Sequence, residues 1–101
     1  MKVNFNVNAV DFSGKVIEVN DKPLSVSEEI CKTLFYAGNV GNERLSNEEK
    51  YLAYKIGRKI ASGEQEYTAE ELAFIKRMCG NTMSAGLFGI VCDIIENVEN
   101  K

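Results

Sequence analysis

The sequence predicts a single α+β domain over residues 1–101, with an N-terminal β-hairpin packed on three to four α-helices. Three observations predict it. Apolar residues alternate with asparagines at the start of the chain. A glycine turn and a second apolar run follow. Three Ser/Thr-x-x-Glu signatures then each introduce a stretch of helical periodicity. A chain of 101 residues with 45% apolar and 27% charged side chains and a single proline suits one modest core, and is too short for two.

Val3, Phe5, Val7 and Ala9 alternate with Asn4, Asn6 and Asn8, a period of two that marks a half-buried strand with its asparagines in water. Asp11-Phe12-Ser13-Gly14 reads as a turn and Lys15 to Val19 as the returning strand, giving a hairpin over residues 2–19. Its Val3, Phe5, Val7 and Ile17 face must lie on helices, because an isolated two-stranded ribbon is marginal in water. Asn20-Asp21-Lys22-Pro23 is expected to break the second strand. Ser25 with Glu28 forms a capping box for a helix over 26–37, which turns Val26, Ile30, Leu34 and Ala37 inward and ends at Gly38.

After a loop from Asn39 to Leu45, Ser46 with Glu49 and Thr68 with Glu71 open helices over 47–62 and 69–79. Leu52, Ile56 and Ile60 form the core face of the former, with Gly63 as its cap. Leu72, Ile75 and Cys79 or Met78 form that of the latter, which breaks or kinks at Gly80-Asn81. A last helix over 82–98 spreads Met83, Leu87, Ile90, Val91, Ile94, Ile95 and Val98 over more than one face. The stripe Leu87, Val91, Ile94 and Val98 is assigned to the core. Met83, Ile90 and Ile95 lie off that stripe. Gly86 and Gly89 allow close backbone approach, so Met83, Gly86, Gly89 and Ile90 are predicted to form the self-association surface of a homodimer.

A net charge of -3 and an isoelectric point near 5.0 provide no general attraction to phosphate backbones or anionic lipid. The chain starts directly into Lys2-Val3-Asn4-Phe5 and has no run of about 18 apolar residues, so neither a signal peptide nor a membrane span is expected. Cys31, Cys79 and Cys92 are an odd number at irregular spacing beside apolar helix faces, which reads as reduced thiols in a cytoplasmic protein.

Each familiar chemistry lacks its residues. Zero histidines remove the usual general base, the Ser-His and Cys-His nucleophile pairs and most zinc sites. The cysteines have no close C-x-x-C pairing. Gly80, Gly86 and Gly89 have neither the lysine nor the preceding strand of a phosphate loop. Glu48-Glu49 and Glu70-Glu71 fall in first helical turns, where carboxylates favour the helix dipole. The expectation is a protein that is not an enzyme and needs no cofactor or metal.

The second helix carries Lys50, Lys55, Arg58 and Lys59, a local positive excess that makes weak nucleic-acid binding through residues 47–62 one alternative. Glu70 and Glu71 would repel phosphate where a helix-turn-helix needs contact, so nucleic acid is disfavoured. Tyr36, Tyr51, Tyr54 and Tyr67 suit interfaces, since tyrosine is a rigid anchor with a polar tip.

Three runs carry a wider resemblance: Asp11-Phe12-Ser13-Gly14-Lys15-Val16-Ile17-Glu18, Tyr67-Thr68-Ala69-Glu70-Glu71-Leu72-Ala73-Phe74-Ile75-Lys76 and Gly89-Ile90-Val91-Cys92-Asp93-Ile94-Ile95-Glu96. Together they resemble a group of small phage and prophage proteins with a "D-x-x-G-K-x-I" hairpin, an "L-T-A-E-E-x-A-x-I-K" helix start and a final "G-x-x-x-D-L-L-E" helix. Tyr67 in place of leucine, and Cys92 in place of a larger residue, depart from that pattern. The resemblance implies an accessory protein acting in the host cytoplasm and brings no site residues with it. A small acidic protein of this kind is expected to bind and inhibit a host protein, for example as an anti-CRISPR-like inhibitor of a nucleic-acid-processing enzyme. Glu64, Glu66, Glu70 and Glu71 with Tyr67 are the candidate partner-binding residues, their carboxylates competing for the Arg and Lys groups of a basic channel. A self-associating phage structural or assembly protein is the other alternative.

Overall fold

Asn20 and Asp21 both have positive φ, 53° and 65°, the left-handed pair of a type I′ turn, whose twist matches a two-residue hairpin. That turn joins β1 (Glu18–Val19) to antiparallel β2 (Lys22–Pro23), with Glu18 opposite Pro23 and Val19 opposite Lys22. Four helices follow: α1 (Val26–Phe35), α2 (Asn47–Ala61), α3 (Ala69–Thr82) and α4 (Ala85–Glu99). The computed structural model describes residues 1–38 and 44–99, so most of the loop expected over 39–45 lies outside the described residues. The α+β class read from the sequence holds.

The regular hairpin sits later than residues 2–19. Asn20-Pro23 does not break the second strand but turns it back, because Asn and Asp accept the left-handed conformation at small cost. The chain also doubles back at Asp11-Gly14, where Val10 lies opposite Val16. There, however, the backbone bonds close a triangle. The Ile17 N–H donates to the Ala9 carbonyl (2.9 Å), Leu24 N–H to Ile17 (2.8 Å) and Ala9 N–H to Leu24 (2.8 Å). Ala9 is fully buried within it.

Alternation along the first segment holds at Val3, Phe5 and Ala9 but fails at Val7, which is exposed. The Val7 N–H donates to the Phe5 carbonyl at 2.9 Å, and the Asn6 N–H to Asn4 Oδ1 at 2.9 Å. This three-residue turn interrupts the pleat and swings Val7 outward.

Ser46 and Thr68 form complete capping boxes with Glu49 and Glu71. At α1 the Ser25 hydroxyl accepts the Glu28 N–H at 3.4 Å and bonds with the Ser27 hydroxyl at 3.0 Å, while the Glu28 carboxylate takes no part in the cap expected there. On α2 the buried small residue is Ala53, beside Ile56 and Ile60, while Leu52 is half-buried. On α1, Ala37 is half-buried beyond the buried Val26, Ile30 and Leu34. Helix α3 runs through Gly80-Asn81 instead of breaking. Gly80 leaves room for the Phe88 ring of α4, to which an added Cβ would stand 3.4 Å away. The break comes at Met83, whose backbone is extended, and Ser84 then accepts the Leu87 N–H at 3.4 Å to start α4. Ile95, expected off the core stripe, is fully buried with Val91. Leu87 and Ile94 are only half-buried, and the Val98 side chain lies outside the described residues. None of the described helices is long and apolar enough to cross a membrane.

Two ion pairs tie α2 to α3. Lys59 Nζ donates to both Glu71 oxygens, at 3.0 and 3.1 Å, and Arg77 to Glu49 Oε2 at 2.7 Å. The Ser46 backbone N–H and then Arg77 hold the Glu49 carboxyl below its ordinary value. Burial pushes Glu71 up, but the Thr68 backbone N–H and the Lys59 ammonium together outweigh it, and the carboxyl lies low. A depressed carboxyl contributes stability that is present above its unfolded value, about 4.5, and lost as pH falls through the folded one. Thermal melts followed by circular dichroism should therefore be flat between about pH 7 and 5 and decline below about 4.5. Glu71→Ala should lower stability at neutral pH by about 1–2 kcal/mol through loss of the cap and the pair, and reduce the acid slope.

Candidate functional site

Helices α1 and α2 can approach closely because Ala53, Gly57 and Ala61 recur every four residues along one side of α2. An added Cβ at Gly57 would stand 3.7 Å from Leu34 Cβ. Small side chains leave space beside them, and a groove of about 590 Å³ runs between Leu34 and Phe35 of α1 and Tyr54 and Arg58 of α2. It shares Cys31, Phe35 and Ala61 with a second groove of about 680 Å³ that continues to Glu28, Lys32 and Glu64. The two form one trough across the α1–α2 face.

Aromatic side chains stand along it. Phe35 is 76% exposed, with the Tyr36 ring edge-on at 5.1 Å. Tyr51 and Tyr54, both exposed, stack with centroids 6.1 Å apart and planes 14° apart. Lys55 lies over the Tyr51 ring at 5.0 Å, and Arg58 over the Tyr54 ring at 5.8 Å. Lys50 lies along the end of α1, its Cε 3.1 Å from where a Cβ on Gly38 would stand, and Gly38 itself has φ 94°. Among the described residues no carboxylate comes within ion-pair distance of Lys50, Lys55 or Arg58.

The Cys31 thiol on the trough floor faces the Gly57 carbonyl at 3.7 Å, and burial, then the Glu28 charge, push its pKa up. Burial, then Cys92, push Cys79 up to about 12. Neither is poised as a thiolate nucleophile.

The acidic connector named by the sequence is not one open surface. Tyr67 is buried. Its hydroxyl donates to the Glu64 carbonyl at 2.7 Å, its ring meets Phe5 edge-on at 5.5 Å, and the Lys59 ammonium lies 4.7 Å from the ring centroid. It supports the trough from inside and offers no anchor to a partner, a correction that follows from Val3 and Met1 pairing with the connector backbone. Glu71 is held by the cap and Lys59, and Glu66 accepts from the Met1 ammonium at 2.8 Å. Glu64 and Glu70 remain exposed.

At the proposed self-association surface, Met83, Gly89 and Ile90 are half-buried and Gly86 is exposed. A Cβ at Gly86 or Gly89 would meet nothing within 4 Å, so neither glycine serves a close approach within this chain. Leu87, Phe88, Ile90 and Ile94 are partly buried against the core, so each leaves part of its apolar surface uncovered within the chain.

Sequence reasoning missed Phe35, whose only signal is its place one residue past the Val26, Ile30, Leu34 face. It also missed Phe12, fully exposed at the tip of a loop fixed by Asp11 Oδ1, which accepts from Ser13 N–H (2.9 Å), Ser13 Oγ (2.6 Å) and Lys15 N–H (3.0 Å).

No family model, no curated protein and no solved structure matches this chain.

Burial, followed by the charges of Glu64 and Glu71, pushes the Tyr67 phenol up to about 12. A raised phenol contributes stability that is complete below its unfolded value of 10.0 and lost as pH rises through the folded one. Alkaline ultraviolet titration should show one tyrosine ionising only near pH 12, and Tyr67→Phe should remove that step. The same change should cost about 1 kcal/mol in a neutral-pH melt, through loss of the bond to Glu64.

Proposed function

We propose that this chain is a non-enzymatic protein-binding module whose working surface is the trough between α1 and α2. One observation carries the reading: Phe35 stands 76% exposed over a floor of small and apolar side chains, rimmed by Tyr36, Tyr54 and Arg58. Aromatic and arginine side chains beside an apolar recess are the residues that dominate protein interfaces, because they bury large area with few rotamers to freeze. Chemistry on a bound small molecule finds less support. Among the described residues no carboxylate, ammonium or guanidinium is buried, and the titratable groups that burial does perturb beside the trough, Cys31 and Tyr67, are held in their neutral forms. In the phage setting that the sequence resembles, such a module would cover a surface of a host protein inside the cell, and its three free thiols suit a reducing compartment.

The acid-mimic version, in which the connector carboxylates enter a basic channel, is less well supported because Glu66 and Glu71 are already engaged. Retention of host proteins on immobilised chain separates the two. The trough reading expects a retained protein to be lost with Phe35→Asp or Tyr54→Ala, by about 2 kcal/mol or more in affinity, and kept with Glu64→Lys and Glu70→Lys. The reverse pattern would move the site to the connector. All four positions are exposed, so melts of the variants should stay within about 1 kcal/mol of the parent, with Glu70→Lys costing most because it reverses a charge in the first turn of α3.

A further inference from the structure

Resting on the docking reading above, we propose that the segment bound in the trough is an acidic peptide with a large apolar anchor, its carboxylates meeting Lys50 and Arg58. The anchor follows from shape. Ala53, Gly57 and Ala61 on one wall and Leu34 and Cys31 on the other leave an open apolar recess beside Phe35, wide enough for a leucine or aromatic side chain. The charge follows from what lines each half. The recess has Lys50 and Arg58 on its rim and, among the described residues, no carboxylate in its lining, and Lys55 lies one turn of α2 away from Tyr51. These cations have no carboxylate partner among the described residues. The adjoining groove carries Glu28 and Glu64 beside a single Lys32, and Lys32 is paired with Glu29 at 3.1 Å. The trough is thus polarised along its length. A segment with its acids at the Lys50–Arg58 end gains there, and is repelled at the Glu28–Glu64 end if it binds reversed, which fixes its direction.

Single-stranded nucleic acid fits the same features less well. Bases need open aromatic faces, yet Tyr51 and Tyr54 stack on each other and each already carries a cation. A phosphate backbone continuing along the trough would also pass Glu28 and Glu64, and the net charge of -3 opposes counterion release.

Selection of a displayed random peptide library against the folded chain tests this directly. Enriched peptides should share a Leu, Phe or Trp anchor with an excess of Asp and Glu on one side of it. A synthetic consensus peptide should bind about tenfold more weakly to Arg58→Glu or Lys50→Glu, lose affinity as salt rises, and regain it on the double variant when its acids are replaced by lysine. Enriched peptides that are neutral or basic, yet lost with Phe35→Asp, would overturn the acidic partner and leave the trough standing. Peptides indifferent to Phe35→Asp, or no enrichment at all, would overturn both. A single-stranded oligothymidylate that displaces the consensus peptide and is itself lost with Arg58→Glu would replace the protein partner by nucleic acid.

Discussion

The Tyr67 side chain joins parts of the chain that share no ladder and no helix. Its backbone N–H donates to the Met1 carbonyl, its ring meets Phe5 of the N-terminal segment, and its hydroxyl closes the connector through Glu64. The Lys59 ammonium above the ring reaches on to Glu71 at the start of α3. One buried phenol thus fixes the N-terminal segment, the end of α2 and the start of α3 with respect to one another. The trough depends on it, because Phe5 and Tyr67 line its inner end. A phenol serves here where leucine would not: its apolar ring fills the core while its hydroxyl satisfies a carbonyl at the boundary.

Helix starts were legible in the sequence because their causes are local. Ser46-Glu49 and Thr68-Glu71 satisfy orphan N–H groups within four residues, so α2 and α3 begin at Asn47 and Ala69, where the sequence placed them. The end of α3 was not legible. Gly80-Asn81 ordinarily marks a stop, but here the glycine accommodates Phe88 across the helix pair. The second turn was missed for a similar reason: Asp11-Gly14 and Asn20-Asp21 both have turn chemistry, and the chain turns back at both. Which of the two opens a regular ladder depends on the triangle of bonds among Ala9, Ile17 and Leu24, a closure over fifteen residues that periodicity does not encode.

The candidate site was less legible than the fold. Periodicity identifies Val26, Ile30 and Leu34 as the inward face of α1, and on that count Phe35 simply falls about 100° away. Whether it is covered depends on what α2 brings against it. Ala53, Gly57 and Ala61 bring too little to cover it. Conversely, the connector acids looked available because a count of charge does not record which carboxylates are already committed. The Thr68-x-x-Glu71 signature did record it for Glu71, since a residue closing a capping box is not free to meet a partner.

Net charge and local charge diverge in this chain for a reason visible in its pairings. Carboxylates are drawn to helix N-termini and to cross-links, as with Glu49 to Arg77 and Glu71 to Lys59, so these acids lie away from the trough and, among the described residues, leave Lys50, Lys55 and Arg58 without a carboxylate partner. On the trough side of α2 the usual Glu–Lys spacing of four is replaced by tyrosine–cation spacing: Tyr51 with Lys55 and Tyr54 with Arg58. A glutamate at either tyrosine position would hold its cation and cancel its field. A ring holds it with about 0.5–1 kcal/mol at such exposed sites and leaves the charge in place. The cations are therefore ordered without being neutralised, which keeps a positive rim beside an apolar recess on a protein whose net charge is negative.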